Sequence, residues 1–356
     1  MILKIKIGLK VLKPPCLLLI ITIKYKGVIN MNMKKIGLTA LAASLVSVSA
    51  NAGSMSVSGG ASMNVTGHTG EGRDVGTSFS MGNQLTFTGS GELDNGLNVS
   101  LSFVIDQGDD TTAANGPFDS HSVTISSDAM GSLTLAGEGG TTASGAIAKT
   151  AAGNLWDAFD GLGTLNTISF ATDLLTTASA GNNGFMYTSP ELTDGLTLVG
   201  SYVPKASSRE SGTGYGVNYT GFDGLTVNYA SQDIVGTTTA LSGDHDVLKV
   251  SYVYGSFTGT VSNSDYSTGT AASNSEASSY AVSYSVSDEL SLTYGSETFE
   301  SGTAGDQDAD ITGISFAYTA GGMTLSGSMK DGENLVYGTG TVEDREQWTL
   351  GASFAF

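Results

Sequence analysis

Apolar and polar residues alternate one by one over much of this chain. Leu97, Val99, Leu101, Phe103 and Ile105 are separated by Asn98, Ser100, Ser102 and Val104. Tyr280, Val282, Tyr284 and Val286 alternate in the same way with Ala281, Ser283 and Ser285, and Leu225, Val227 and Tyr229 with Thr226 and Asn228. A period of two places the two sets on opposite faces of a strand. The polar set is mostly Ser, Thr, Asn and Gly, small and uncharged, and no sustained helical period appears beyond the first 52 residues. Alternation alone means an all-β fold and does not separate a two-sheet sandwich from a barrel.

The connections do separate them. Strands are expected near 54–66, 77–91, 96–105, 120–127, 132–138, 182–189, 196–203, 213–221, 225–232, 246–254, 256–266, 278–286, 290–297, 310–318, 323–329 and 346–356. Tight links such as Asp94-Asn95-Gly96, Phe222-Asp223-Gly224 and Gly255 carry turn chemistry. They alternate with longer links at 67–76, 106–119, 139–181, 204–212, 233–245, 267–277, 298–309 and 330–345. Short turns on one rim and long loops on the other are the layout of a transmembrane antiparallel β-barrel of about sixteen strands. The final segment supports this. Trp348, Leu350, Ala352, Phe354 and Phe356 share one face, with nothing after them to cover it. In an outer-membrane barrel such a strand closes the ring and meets the insertion machinery, so Trp348, Leu350, Phe354 and Phe356 form the expected assembly signal.

The opposite end points to export. Met33-Lys34-Lys35 is a basic start, 36–48 is apolar or small, and Ala50-Asn51-Ala52 is an A-x-A cleavage signal. A signal peptide is therefore expected over 33–52 and a single barrel domain over 53–356. Residues 1–32 read as an over-extended start, with translation beginning at Met31 or Met33; a long n-region or signal anchor is the alternative. Cys16, the only cysteine, falls in this removable part.

Charge changes once the leader is set aside. Eight of the fifteen basic residues and none of the 34 acidic ones lie in 1–52, which leaves seven basic groups and a formal charge of −27. Such a body does not bind nucleic acid by charge. The regular alternation argues against a disordered acidic chain.

Four stretches carry a resemblance: the A-x-A signal, G-E-L-D-N-G-L-N-V-S-L-S-F at 91–103, G-S-L-T-L-A-G-E at 131–138, and Y-T-S-P-E-L-T-D-G-L-T-L at 187–198, together with the terminal F-A-F. With these the whole mature region resembles the Gram-negative general porins, trimeric sixteen-stranded barrels. The resemblance implies an outer-membrane, water-filled channel for passive diffusion of small hydrophilic solutes and ions, with no enzymatic step. It implies a homotrimer in contact with outer-membrane lipid and lipopolysaccharide. It also implies that the third long loop, 139–181, folds inward and narrows the bore. Glu138, Lys149, Asp157 and Asp160 are then the candidate constriction residues. The family commonly opposes acidic loop residues with wall arginines, and this chain departs from that. Arg73, Arg209 and Arg345 fall in expected loops, and only Lys249 sits on the polar face of an expected strand. A cation-leaning pore is therefore expected.

Other features have plainer readings. Residues 154–161 suit one helical turn with Trp156 and Phe159 against the wall and Asp157 and Asp160 in water, or acids that merely solvate the loop. Asp306, Asp308 and Asp310 are spaced like oxygen ligands for Ca²⁺. The central Gly and terminal Glu of a calcium loop are absent, which favours a solvated acidic loop. His68, His121 and His245 read as isolated surface histidines. No GxSxG, HExxH or phosphate-binding Gly loop occurs. The competing classes are a substrate-specific outer-membrane channel and a secreted acidic calcium-binding adhesin. The latter would need a short repeat that the chain lacks.

Overall fold

The computed structural model describes residues 53–70, 76–106, 118–147, 150–159, 183–205, 211–234, 242–271, 274–335 and 344–356. Residues 53–356 form one compact unit, and the expected leader lies outside the described residues.

Sixteen strands are present among the described residues: Ser54–Gly70 (β1), Gly76–Glu92 (β2), Asn98–Asp106 (β3), Ser120–Ser127 (β4), Gly131–Glu138 (β5), Gly184–Thr188 (β6), Leu196–Val203 (β7), Gly212–Tyr219 (β8), Leu225–Ile234 (β9), Gly243–Tyr254 (β10), Phe257–Thr268 (β11), Ser275–Ser285 (β12), Leu290–Ser301 (β13), Ala309–Ala320 (β14), Met323–Glu333 (β15) and Arg345–Ala355 (β16). Each pairs antiparallel with its sequence neighbours, and β1 pairs with β16, so the sheet closes on itself and has no free edge. A glycine at positive φ closes six of the seven short turns: Gly96, Gly131, Gly195, Gly224, Gly255 and Gly321. The seventh is held by the Ser287 hydroxyl, which accepts from the Glu289 and Leu290 amides.

The strands run further toward the long-loop rim than the hydropathy pattern suggests. The ends of β1, β13 and β15 each lie four residues beyond the expected ones. Backbone pairing continues there after apolar alternation has stopped. Two expectations change as a result. Lys330 and Arg345 belong to strands and not to loops. Lys249 is consequently not the only basic residue on a strand's polar face.

Alternation fixes the two faces. Leu292, Tyr294, Ile314, Phe316, Tyr318, Trp348 and Leu350 are exposed on the outside. Cross-strand hydroxyl pairs line the inside, among them Ser56 with Thr88 (2.6 Å), Thr124 with Thr134 (2.8 Å), Ser283 with Thr293 (2.8 Å) and Ser328 with Thr349 (2.7 Å). Apolar side chains outside and hydroxyls inside reverse the arrangement of a water-soluble barrel. The two clusters of buried apolar residues both form where the chain after β5 packs on the inner wall.

Candidate functional site

After β5 the chain returns along the inner face of the wall. Its first described part, through Ile147, is pinned to β7, β9, β10 and β11. The Ala143 amide donates to Ser201 Oγ (2.9 Å), and Ser201 Oγ donates to Gln232 Oε1 (2.8 Å). Gly214 pairs with both Ser201 and Gln232, so this bond bridges the middle strand, β8. A Cβ at Gly214 would lie 2.1 Å from Gln232 Oε1, and only glycine leaves the bond room. His245 is 0% exposed, with Nδ1 3.0 Å from Ser144 Oγ and Nε2 2.7 Å from Ser264 Oγ. A hydroxyl either donates or accepts, so either neutral tautomer is satisfied. The surface reading of His245 is therefore corrected: it holds the ledge to the wall.

The second described part, 150–159, is fixed by Glu297 of β13. This carboxylate is 0% exposed and accepts from the Thr150 hydroxyl, the Leu155 amide (2.8 Å) and the Trp156 amide (3.1 Å). A buried charge is tolerated only with such partners. It caps a 3₁₀ turn at Leu155–Ala158. Leu155, Trp156 and Phe159 then bury against Phe299, Ile311 and Leu335, while Asp157 stays exposed. Further pins come from Ser279 Oγ, which accepts from the Ala151 amide (2.7 Å), and from Lys249 Nζ, which donates to the Thr150 carbonyl (3.2 Å). Gln347 Nε2 donates to the Ala158 carbonyl (2.7 Å).

The expected site residues divide as follows. Asp157 and Lys249 lie on the lumen side, at the ledge and on the wall beside it. Glu138 ends β5, opposite His121, at the root of the returning segment. Lys149 and Asp160 lie outside the described residues. Asp306 and Asp310 do not converge: Asp306 accepts from Ser301 Oγ and Asp310 from Thr298 Oγ1, and no metal-holding group of three exists among the described residues. Sequence reasoning missed Glu297 and Lys330. Lys330 follows Thr324, Ser326 and Ser328 on the inner face of β15 and feels the charges of Asp157 and Glu297. Strand parity points to both: Glu297 ends the expected strand 290–297, and Lys330 stands one residue past the expected 323–329, on the face of Ser328.

This geometry accounts for the sequence relationships. The Gram-negative porin family model matches residues 37–356. The chain belongs to that family. No curated protein sequence matches it. Among solved structures, an anion-selective porin from Comamonas acidovorans is 16% identical with a TM-score of 0.61, over 85% of this chain and 100% of that one. A loop-deleted form of OmpT, an outer membrane protein of Vibrio cholerae, is also 16% identical at 0.61, over 86% and 100%. Salmonella typhi OmpF in complex with daunomycin is 14% identical at 0.61, over 87% and 99%. At such identities the likeness is one of fold. The chain is thus an outer-membrane porin, a channel for passive diffusion, in a family and fold of non-enzymatic channels.

Proposed function

We propose that this porin passes small hydrophilic solutes and ions with a lean toward cations, and that the segment after β5 forms its narrowing. The observation that carries the reading is the pinning of 142–147 and 150–159 to the inner wall, inside a barrel too wide for wall side chains to meet. The wall around it is mostly neutral hydroxyl, so the few charges at the ledge weigh heavily. The acidic excess, 34 groups against seven basic ones from residue 53 onward, favours cations at both mouths. Reversal potentials in a KCl gradient across a planar bilayer test this: a potential of the sign for K⁺ preference is expected, and an anion-preferring sign overturns the lean.

The subunit is proposed to work as a homotrimer. The exposed tyrosines run from Tyr187 on β6 to Tyr318 on β14, and β1–β5 carry none. Tyrosine suits the border between lipid and water. A sector without it that exposes Met55, Phe79 and Met81 fits contact with neighbouring subunits. An oligomer on gels that collapses on boiling is the expected sign.

Near the long-loop rim, like charges face one another across strands on the outer face. Asp246 pairs with Asp265, Asp265 with Glu276, Glu276 with Glu300, and Asp331 with Glu346. Such pairs are destabilising unless a counter-ion intervenes. Contact with lipopolysaccharide through shared divalent cations would supply one, and Ca²⁺ near Asp306 and Asp308 belongs to this rim. Thermal stability of the extracted protein should then fall on chelation; an unchanged midpoint removes the support. The insertion machinery would read the outer face of β16, where Trp348, Leu350, Phe354 and Phe356 are exposed.

A further inference from the structure

One recess in the lumen departs from the hydroxyl lining. From β7 to β10 two neighbouring rungs of the inner face have opposite character. The rung level with the ledge pairs Val199 with Gly216, Gly216 with Ala230, and Ala230 with Val247. The next rung toward the short turns pairs Asn218 with Asn228 and Asn228 with Lys249. Ile147 of the ledge and Met186 of β6 extend the apolar side. All of these but Val247 line a recess of about 270 Å³, open to the lumen. Gly216 keeps the middle clear: a Cβ there would lie 3.0 Å from that of Ala230.

The polar rung carries a cation with neutral neighbours. Lys249 pairs across strands with Asn228 and Ser262, and Val247 and Ser251 flank it on its own face. Of its three N–H groups one donates to the Thr150 carbonyl. Asn228 donates to Asn218 Oδ1 (2.8 Å), which orients both amides along the rung. An anionic head therefore meets an ammonium, and whatever is attached to it meets valine, alanine, isoleucine and methionine.

We propose that this recess is a transient binding subsite for short-chain aliphatic monocarboxylates of about three to five carbons, entering from the lumen. The carboxylate sits at Lys249 and the chain lies on Val199, Ala230, Ile147 and Met186. The volume, just below the range of drug-sized pockets, limits the chain length. An inorganic anion gains nothing from the apolar rung, and an alkylammonium ion is repelled. Binding of this kind is weak enough to release the solute, as flux requires. The proposal rests on the channel reading, because the lumen is the route to the recess.

Saturation-transfer NMR on the detergent-solubilised protein tests it, with sodium butyrate, sodium acetate and butylammonium chloride as probes. Butyrate is expected to bind, acetate about ten-fold more weakly for want of two methylenes, and butylammonium not at all. Lys249→Gln should weaken butyrate about five-fold, Lys249→Arg should restore it, and Val199→Ser should weaken butyrate but not acetate. The micelle is common to all variants, so partition into detergent cancels. Acetate binding as tightly as butyrate, or butylammonium binding equally, overturns the proposal without any variant. Unchanged butyrate affinity in a heat-modifiable Lys249→Gln protein also overturns it. KCl conductance of the same preparations is read separately: its loss in the wild type sinks the channel reading, whereas its retention without butyrate binding sinks the subsite alone.

Discussion

Phe356 exchanges two backbone hydrogen bonds with Gly59, its amide donating to the Gly59 carbonyl (3.0 Å) and its own carbonyl accepting from the Gly59 amide (2.7 Å). The ring lies over Gly59, where a Cβ would come within 2.5 Å of it. Trp348 covers Gly67 in the same way eight residues further along β1, with a Cβ position 2.3 Å from its Nε1. Both aromatics sit on the seam that closes the barrel, each filling the space left by a glycine on β1.

Disturbing this seam should impair assembly. Deleting Phe356 removes two closing bonds, and Gly67→Leu forces Trp348 off the strand. Each change should cost about 1–3 kcal/mol or more at the seam and lower the heat-resistant fraction in outer membranes. Wild-type levels and an unchanged unfolding temperature for both would show that the seam is not held in this way.

Glu297 is the second point of leverage. Glu297→Ala removes the acceptor of the Leu155 and Trp156 amides inside a buried cluster, a loss of about 1–3 kcal/mol per unsatisfied group, and leaves the Thr150 hydroxyl only Asn154 Oδ1. The barrel has its own ladder and should survive, while 150–159 loosens. Single-channel recordings should show a noisier current and altered conductance with normal heat-modifiability. A quiet trace at wild-type conductance would mean that the apolar contacts of Trp156 and Phe159 suffice.

Gly214→Val tests the other half of the ledge. The new side chain occupies the space between Ser201 and Gln232 and breaks the bond that holds the Ala143 amide. Current noise should rise as for Glu297→Ala, and the two changes together should add, since the pins sit on separate groups of strands.

The fold was legible because two-residue alternation and glycine turns are local signals. Leu97 to Ile105 shows its faces without reference to any partner strand. The ledge was legible only in its apolar anchors, Trp156 and Phe159. Its polar anchors were not, because Glu297, His245 and Ser201 lie 142, 101 and 58 residues from the groups they bind. Nothing in a strand's own period shows that a loop will cover it. Lys330 was hidden for a different reason: it lies where apolar alternation has ended but pairing with β14 continues, Lys330 facing Gly313.

That lysine decides the last prediction. Asp157 is exposed on the ledge, in the turn that packs against β15, and Lys330 lies on the inner face of that strand. Two charges several Å apart in a partly dehydrated bore interact by roughly 1–4 kcal/mol, whereas charges out on the loops are screened within about 8 Å at physiological salt. Position should therefore outweigh total charge. Asp157→Asn should lower the K⁺/Cl⁻ permeability ratio, and Lys330→Gln should raise it by removing the opposing charge at the same place. Asp306→Asn with Asp308→Asn, which removes twice the charge from an outer loop, should change the ratio less than either. A larger effect from the outer pair, or a shift of the same sign from Asp157→Asn and Lys330→Gln, would place the selective narrowing elsewhere in the lumen.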